Sequence, residues 1–300
     1  MMPAKSNKKL RGKLLVNEPM SRHTSWRVGG PADRVYLPAD LDDLATFLRS
    51  LSPEGPVYWI GLGSNLLVRD RGVRGTVIIT SGALNGLGLL RDGMVRAEAG
   101  VASAKVARFC AGRGLVGAEF LAGIPGTIGG ALAMNAGAFG GETWTIVASV
   151  ETIDRHGVRR TRLPADYEIK YRSVRGSQDE WFVAAHFRLQ PGETAQGKSL
   201  IKTLLAKRGA TQPTQLPNAG SVFKNPPQDH AARLIEASGL KGACEGQACV
   251  SELHANFIVN QGGATAAEIE RLILRIQATV ENLHGVLLEP EVRVIGEMAP

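Results

Sequence analysis

The chain has 300 residues, of which 44% are hydrophobic and 21% charged, and this globular composition is sufficient for two or three domains. Its formal net charge of +7 favours anionic partners such as nucleotides, nucleic acid or acidic membranes, without choosing among them. No apolar run reaches the ~18–20 residues of a membrane span, and the basic start Met1–Leu15 lacks the apolar core of a secretory signal, so we expect a cytoplasmic protein without membrane insertion.

Apolar periodicity and turn residues predict the elements of the first two thirds of the chain. Residues 1–16 are expected to form a loose, basic lead-in, and Asp40 is expected to cap a helix that ends at Arg49. A second helix is predicted at Ser103–Ala111, and the turn Asp154–Gly157 is predicted to close a hairpin. Val57–Ile60 is a short apolar run that breaks at the glycines after it, and strands are predicted at Val73–Thr80, Met94–Ala99, Thr145–Ile153, Val158–Leu163 and Trp181–Leu189.

In the last third, a change in character around Thr211–Pro217 indicates a domain boundary. Helices are predicted at Lys198–Lys207, Ala231–Ser238 and Ala266–Leu283, and strands at His254–Asn260 and Val286–Leu288. Short strands and helices are mixed along the chain without regular alternation, which indicates an α+β fold.

The cysteine and histidine patterns give no sign of a disulfide framework or a metal site. Cys110, Cys244 and Cys249 are odd in number and have no Cys-x-x-Cys spacing. We interpret them as small buried residues in a reducing compartment. The six histidines lack metal-binding spacing such as His-Glu-x-x-His, so no metal is expected.

Two glycine-rich stretches, Gly61–Asn65 and Gly123–Gly141, have the composition of binding loops. Glycine lets the backbone N–H groups approach a phosphate closely, and the interleaved apolar residues are not typical of a linker. Neither stretch is the dinucleotide motif Gly-x-Gly-x-x-Gly, and tight packing turns also use glycine. Two such loops in one region nevertheless favour a nucleotide cofactor.

A third stretch, Gly192–Ser199, matches the P-loop pattern literally. Glu193 would add negative charge beside the phosphates, and Pro191 interrupts the strand that should lead into the loop. We also find no apolar strand ending in Asp that would hold magnesium. We therefore interpret the segment as a polar loop entering a helix, and keep a P-loop NTPase as an alternative.

A hydroxyl, an ammonium and an amide lie within five residues at Ser221, Lys224 and Asn225. In a turn these groups either converge on one ligand or form a solvated surface, and the residues alone leave both readings open.

Taken together, these residues resemble the UDP-N-acetylenolpyruvoylglucosamine reductase (MurB) family. The similar segments follow family order from about residue 21 to 296, so that they cover nearly the whole chain. They are Ser25–Ala32, Gly61–Asn65, Gly123–Ala131, Asn135–Gly140, Tyr171–Arg172, Ala219–Pro226, His254–Asn260 and Leu288–Gly296.

The resemblance implies an α+β fold with a two-part FAD-binding unit of the vanillyl-alcohol-oxidase type and a C-terminal α+β substrate domain. The expected parts are residues 1–55 with a return strand in 287–300, residues 56–210, and a substrate domain at 211–286. Residues 173–180 are too few for the extra tyrosine-bearing loop of the longer family form, so this chain is similar to the shorter form.

The activity implied by the resemblance is reduction of UDP-N-acetylglucosamine enolpyruvate to UDP-N-acetylmuramate, a step in peptidoglycan precursor synthesis. Non-covalent FAD is the implied cofactor and NADPH the co-substrate. Arg172 and Glu291 stand at the family positions that stabilise an enolate, and Ser221 at that of the proton donor. Because an ionised Glu291 would repel an enolate, we expect it to be protonated or to act through a hydrogen bond.

The resemblance also implies binding residues. FAD contacts are expected at Gly61, Gly63, Ser64, Asn65, Gly123, Ile124, Pro125, Gly126, Thr127, Gly129, Gly130, Asn135 and Gly137. Substrate contacts are expected at Arg208, Lys224, Asn225 and Asn256. Family members often carry a lysine just before the proline at position 213, where this chain has Thr211 and Gln212. Arg208 is the expected substitute for that phosphate contact.

Two further alternatives remain at this point. Another flavin oxidoreductase with the same type of FAD-binding unit would leave the segments around Ser221 and Glu291 unexplained. A basic nucleic-acid-binding protein would show aromatic–basic interleaving or a helix-turn-helix pattern, and we find neither. No nucleic-acid partner is therefore expected.

Overall fold

The computed structural model describes residues 9–298. The helices are α1 Leu41–Ser50, α2 Ser103–Ala111, α3 Ile128–Met134, α4 Thr194–Thr211, α5 Ala231–Ala237 and α6 Ala266–His284. The first ten strands are β1 Lys13–Pro19, β2 Pro31–Leu37, β3 Val57–Ile60, β4 Leu66–Val68, β5 Val73–Ile79, β6 Leu87–Leu89, β7 Val95–Glu98, β8 Leu115–Val116, β9 Gly137–Ala138 and β10 Gly141–Glu142. The others are β11 Val147–Asp154, β12 Arg159–Arg162, β13 Glu168–Lys170, β14 Ser173–Arg175, β15 Glu180–Phe187, β16 Gln190–Pro191, β17 Cys244–Glu245, β18 Ala248–Val250, β19 Ile258–Asn260 and β20 Arg293–Ile295.

The first sheet has the order β1-β2-β5-β3, with β1 antiparallel and the other pairs parallel. Helix α1 packs against it through an apolar face, and Asp40 caps this helix by accepting the N–H of Asp43, as predicted. The predicted lead-in is wrong from Lys13 onwards, because these residues pair with β2. Strands β3 and β5 lie beyond residue 55 and pair in parallel within this sheet, and the predicted domain boundary at that residue stays a prediction.

The second sheet is antiparallel, with the order β12-β11-β15-β7-β6. Helices α2 and α3 contribute to the core on one of its faces. The predicted hairpin is present: Gly157 adopts a φ of +71° and donates its N–H to the carbonyl of Asp154 at 2.9 Å. Both sheets lie before residue 190, and the segments that connect their strands carry the two glycine-rich loops.

The C-terminal part packs α5 and α6 with the three strands β17-β18-β19. A capping box between Thr265 and Glu268 starts α6, and Gly285, with a φ of +67°, ends it. Trp26, Val28 and Leu67 belong to the same buried core, although they are distant in sequence. The C-terminal part therefore shares its core with the beginning of the chain.

The end of the chain differs from the prediction. Strand β20 pairs in parallel with β4, which lies between β3 and β5 in sequence and outside residues 1–55. Val286–Leu288 is not a strand, and within His254–Asn260 only Ile258–Asn260 is one, because the preceding residues form turns around Asn256. Among residues 9–298, no helix is long and apolar enough to cross a bilayer.

Cys244 and Cys249 form a disulfide, which corrects the prediction of three free cysteines. The spacing gave no sign of it because the two residues become direct neighbours only when β17 pairs with β18, which places their Cα atoms 4.1 Å apart. Cys110 is buried and free, as predicted, and burial raises the pKa of its thiol to about 12.

The P-loop alternative is wrong. Only Gly192 and Glu193 separate β16 from α4, so there is no loop long enough to wrap a phosphate. Gly197 to Ser199 already belong to the helix, which starts at Thr194 and not at the predicted Lys198. Gly197 is buried against Ala111 of α2, so its lack of a side chain serves helix packing.

Candidate active site

The two glycine-rich loops face each other across a cavity of about 360 Å³. The loop after β3 forms one wall, and the segment that leads into α3 forms the other. The C-terminal part closes the cavity with the turn at Gly220 and the segment before β20. The lining includes these predicted residues: Gly61, Gly63, Ser64, Asn65, Gly123, Ile124, Pro125, Gly126, Thr127, Gly130, Gly137, Arg172, Arg208, Ser221 and Glu291.

Glycine is required where the first loop is crowded by the second loop and by the segment at His23. A Cβ atom at Gly61 would come within 2.2 Å of Thr127 Oγ1, and one at Gly63, where φ is +69°, within 2.0 Å of the His23 carbonyl. The Thr127 hydroxyl is buried and has no hydrogen-bond partner in residues 9–298. Backbone N–H groups and an unpaired hydroxyl on a wall without side chains suit a phosphate-bearing ligand.

Two predicted cofactor residues do not line this cavity. A Cβ at Gly129 would lie 2.9 Å from that of Ala99, so this glycine allows α3 to pack on β7. Asn135 adopts a φ of +44°, accepts the N–H of Trp144 and donates to Glu142 Oε2 at 2.8 Å. Its side chain thus holds the loop, and the predicted cofactor contact of Asn135 stays a prediction.

Arg172 enters the cavity from the tight turn between β13 and β14. Its φ of +53° lies in the left-handed region, where a residue with a long side chain is strained. Its Nη2 donates to the carbonyl of Gly137 at 3.0 Å, and its Nη1 to that of Asn135 at 3.4 Å. The backbone of the second glycine-rich loop therefore fixes the direction of the guanidinium.

Glu291 lies beside this arginine and is largely buried. Arg172 Nε is 3.1 Å from Glu291 Oε1, an ion-pair distance, but the N–H does not point at that oxygen and has no acceptor among the described residues. Burial raises the pKa of Glu291, while the positive charges of Arg172 and Lys224 oppose the rise. The pair therefore has one N–H free for a ligand and a carboxyl that protonates more readily than usual.

Ser221 is placed beside Glu291 by backbone pairing. Glu291 donates its N–H to the carbonyl of Val222 at 2.7 Å, and Lys224 donates its N–H to that of Glu289 at 2.9 Å. Gly220, with a φ of +75°, turns the chain into this pairing. The Ser221 hydroxyl makes no hydrogen bond within residues 9–298, so it remains available to a ligand in the cavity.

Of the four predicted substrate residues, only Arg208 lines the cavity. It lies near the end of α4, donates to Gln212 Oε1 at 3.1 Å, and has its pKa lowered by burial. It makes no ion pair within the described residues. A partly buried cation that lacks a carboxylate partner is suited to bind an anionic ligand.

The other three predicted substrate residues support the site from behind. Lys224 Nζ pairs with Glu289 at 2.5 Å, and Asn225 accepts the N–H that begins α5 at 3.1 Å. Asn256 accepts the N–H of Phe223 and donates to its carbonyl, which fixes the turn that carries Ser221. None of the three lines the cavity, and their predicted substrate contacts stay predictions.

Comparison with known proteins gives two family matches. The family described as "FAD binding domain" matches residues 32–162, and the one described as "UDP-N-acetylenolpyruvoylglucosamine reductase, C-terminal domain" matches residues 212–295. A protein of Methylococcus capsulatus named UDP-N-acetylenolpyruvoylglucosamine reductase is 60% identical over 287 residues, covering 96% of this chain and 94% of its own. The chain belongs to the UDP-N-acetylenolpyruvoylglucosamine reductase family. A relative of the same name from Alkalilimnicola ehrlichii is 58% identical and covers 95% of this chain and 96% of its own.

The fold agrees with that of a solved family member. The crystal structure of UDP-N-acetylenolpyruvylglucosamine reductase from Thermus caldophilus has a TM-score of 0.82 and 30% identity, over 95% of this chain and 99% of that one. The predicted α+β architecture, an FAD-binding unit of the vanillyl-alcohol-oxidase type followed by a substrate domain, is confirmed. FAD is the cofactor of this reductase, and the glycine walls and free Thr127 hydroxyl fit its phosphates.

Several lining residues of the reductase were not predicted from its sequence. Phe139 and Arg293 lie inside segments that carry the family resemblance, so closer attention to those segments would have found them. Trp59 gave no signal, because an aromatic residue in an apolar strand has an ordinary structural explanation. Gln212 did give one, since it precedes Pro213, where family members often carry a lysine.

Proposed function

We propose that Arg172, Ser221 and Glu291 carry out the reaction of this family member. That reaction is the NADPH- and FAD-dependent reduction of UDP-N-acetylglucosamine enolpyruvate to UDP-N-acetylmuramate, in peptidoglycan precursor synthesis. The observation that carries the proposal is the convergence of these three side chains on one cavity, which the glycine-rich loops also line. When bound, FAD supplies hydride transfer between NADPH and the enolpyruvyl ether.

The proposed role of Arg172 is to stabilise negative charge on the substrate. Hydride addition to the terminal vinyl carbon would leave negative charge, as an enolate, on the carbon beside the substrate carboxylate. The guanidinium is already fixed by two backbone carbonyls, and its free Nε–H provides a directed donor for that carboxylate. A charge that is placed before the reaction stabilises the transition state without the cost of reorganisation.

The proposed role of Glu291 depends on its protonation. An ionised carboxylate would oppose the enolate, but burial raises the pKa of Glu291 and favours the neutral acid. A neutral Glu291 donates a hydrogen bond toward the developing charge, while Arg172 remains the positive group. With these roles the developing negative charge faces the positive Arg172 and a neutral Glu291, and not an ionised carboxylate.

Ser221 is the proposed proton donor to the enolate carbon. A serine hydroxyl is a weak acid, but an enolate is strongly basic, so the transfer is downhill once the hydroxyl is held in place. The pairing between residues 222–224 and 289–291 supplies that placement. Arg208 is proposed to bind the anionic diphosphate of the substrate, where its unpaired charge faces the same cavity.

The two half-reactions test the role of Ser221 separately in anaerobic stopped-flow absorbance. Ser221→Ala is expected to leave flavin reduction by NADPH within about twofold of wild type. Flavin reoxidation by the enolpyruvyl substrate should slow by ~10²–10⁴-fold, the usual contribution of a positioned acid. Ser221→Cys should retain more activity because a thiol still donates a proton. Ser238→Ala, a serine outside the cavity, is the control, and wild-type reoxidation in Ser221→Ala would exclude Ser221 as donor.

Location and partners beyond the reaction stay predictions. We propose a cytoplasmic enzyme because both substrates, NADPH and a nucleotide sugar, are metabolites of that compartment. A nucleic-acid partner and membrane insertion are not expected, as the sequence suggested. Fractionation of cells that express the tagged chain would test the location.

A further inference from the structure

Asn135 lies where the second glycine-rich loop meets the hairpin that carries Arg172. It follows the last residue of α3 with a left-handed backbone, at a φ of +44°, and only 1% of the residue is exposed. Asparagine adopts this conformation more readily than most residues with a side chain. The backbone therefore favours asparagine at this position, and the fold encloses its amide.

The side-chain amide of Asn135 joins three segments of the chain. Its Oδ1 accepts the N–H of Trp144 at 3.1 Å, and its Nδ2 donates to Glu142 Oε2 at 2.8 Å and to the carbonyl of Lys170 at 3.3 Å. An amide nitrogen carries only two hydrogens. Both are therefore used within the protein, and the amide has no N–H left to donate to a ligand.

The contact with Lys170 holds the hairpin just before Arg172. Lys170 pairs with Ser173, so Tyr171 and Arg172 form the two-residue turn between β13 and β14. The other end of Arg172 meets the same asparagine, because its Nη1 donates to the backbone carbonyl of Asn135 at 3.4 Å. Asn135 thus contacts both the strand that presents Arg172 and the guanidinium itself.

The backbone of Arg172 requires support of this kind. Its φ of +53° lies in the left-handed region, and a strained conformation persists only where the surrounding contacts determine it. Without those contacts the turn would relax to an ordinary conformation. The guanidinium would then move away from Glu291, whose Oε1 lies 3.1 Å from Arg172 Nε.

Glu142 determines the orientation of the Asn135 amide. It lies in β10 and makes no ion pair within residues 9–298, and its carboxylate accepts a hydrogen bond from Asn135 Nδ2. An ionised carboxylate accepts hydrogen bonds and cannot donate them. It therefore faces the nitrogen end of the amide, which leaves the oxygen end for the N–H of Trp144.

We propose that Asn135, oriented by Glu142, is a positioning residue that holds the Arg172 guanidinium in place for the carboxylate of the enolpyruvyl substrate. In this role Asn135 contacts neither the substrate nor the reacting atoms, and it acts only through Arg172. The inference rests on the proposed function of Arg172, and it adds the residues that keep this arginine in its strained conformation.

Asn135→Gly tests the proposal, because glycine keeps a left-handed backbone without strain and removes only the amide. Flavin reduction by NADPH and FAD binding to the apoprotein should both stay within about twofold of wild type. In anaerobic stopped-flow absorbance, the limiting rate of flavin reoxidation by the enolpyruvyl substrate should fall by about 10–100-fold, since misplacing a catalytic group by ~1 Å costs up to ~10²-fold. Asn17→Gly is the matched control and should equal wild type, because Asn17 has a φ of +52° but is exposed in β1.

A double variant shows whether Asn135 acts through Arg172. Arg172→Ala alone should slow reoxidation, and adding Asn135→Gly should slow it by less than about twofold more. Losses that multiply would overturn the proposal. It also fails if Asn135→Gly weakens FAD binding and leaves reoxidation unchanged, which would favour the cofactor contact predicted from the sequence. Wild-type reoxidation in Arg172→Ala would instead overturn the proposed function of Arg172, so the two failures are distinguishable.

Variants of Glu142 give a second measurement that leaves the backbone of Asn135 unchanged. Glu142→Gln keeps an acceptor oxygen and should retain more of the reoxidation rate than Glu142→Ala, which leaves the amide without its partner. Equal losses would overturn the role of Glu142. Circular dichroism establishes that each variant is folded. If Asn135→Gly does not fold, wild-type reoxidation in Glu142→Ala overturns the proposal.

Discussion

At the scale of single residues, burial more than residue type decides how readily a carboxyl protonates here. Glu289 and Glu291 are two positions apart, yet the first is exposed and pairs with Lys224, while the second is largely buried beside Arg172. Burial raises the pKa of Glu291, and the positive charge of Arg172 counteracts the rise. The sequence shows two glutamates, and only the structure shows which one favours the neutral acid.

Glu291→Gln tests whether the neutral acid is the active form. Glutamine still donates a hydrogen bond but cannot ionise, so flavin reoxidation should fall less than in Glu291→Ala, which should lose about 10²-fold. In wild type, the activity that depends on the protonated carboxyl should decrease as pH rises through the raised pKa of Glu291. That decrease should be absent in Glu291→Gln. The pH dependence of reoxidation measures both effects.

Glu289→Gln is the matched control for this experiment, since it changes an exposed glutamate of the same segment. It should leave the pH profile of wild type intact. A profile in Glu291→Gln that keeps the wild-type inflection would show that another group titrates. Equal losses in Glu291→Gln and Glu291→Ala would show that the ionised carboxylate is needed instead.

At the scale of elements, a charged network holds three strands of the second sheet. Arg96 of β7 makes two hydrogen bonds to Glu151 of β11, at 2.6 and 2.9 Å, and His186 of β15 lies 2.7 Å from the same carboxylate. The hydrogen bonds from Arg96 lower the pKa of Glu151 to about 2, against the effect of burial. The network lies away from the apolar face that packs on α2 and α3.

This network should make stability sensitive to acid. A carboxyl whose pKa is lower in the folded state stabilises the fold above its unfolded pKa, near 4.5, and this contribution is lost as pH falls toward about 2. At pH 7, Glu151→Gln should lower the free energy of unfolding by up to about 3 kcal/mol. The difference from wild type should shrink between pH 4.5 and 3.

Urea unfolding at several pH values measures this difference. Glu168→Gln, which breaks an exposed pair with Lys170, is the control and should change stability by less than about 1 kcal/mol. If Glu151→Gln lowers the free energy of unfolding by the same amount from pH 7 to pH 3, the network stabilises the fold through packing and not through charge.

Elements with strong local signals were predictable, and pairings between distant segments were not. Helix α2 has the predicted bounds, and the hairpin at Asp154–Gly157 is present, because periodicity and turn residues determine both locally. The disulfide between Cys244 and Cys249 depends on strand register, which no local pattern encodes. The partner of β20 likewise depends on how the C-terminal part docks.

In the candidate site, too, features with a local sequence signal were predictable and features that depend on the fold were not. The glycine-rich loops were predictable, because close backbone approach demands glycine at positions such as Gly61 and Gly63. The family resemblance then located Arg172, Ser221 and Glu291. The supporting roles of Asn135 and Asn256 were not predictable, since an asparagine that fixes a loop and one that contacts a ligand have the same sequence signal.

On the scale of the whole molecule, the C-terminal part is joined to the start of the chain by a shared core. Trp26 is fully buried in that core and donates its indole N–H to the carbonyl of Ile258 at 2.7 Å. Asn260 donates in turn to the carbonyl of Trp26 at 2.9 Å. Because Ser221 and Glu291 reach the cavity from the C-terminal part, this docking also sets the geometry of the active site.

Trp26→Phe should therefore lower the stability of the whole molecule against unfolding, and not that of one part alone. The change leaves the Ile258 carbonyl without its donor in a buried place, which should cost about 1–3 kcal/mol, with a further loss from the smaller ring. Since the parts share one core, FAD release and loss of circular dichroism should coincide along a urea titration in wild type and variant. Both midpoints should be lower in Trp26→Phe. Trp181→Phe changes a half-buried indole with no hydrogen bond among the described residues, and it should lower the circular dichroism midpoint less than Trp26→Phe does. Two separate transitions would contradict a shared core.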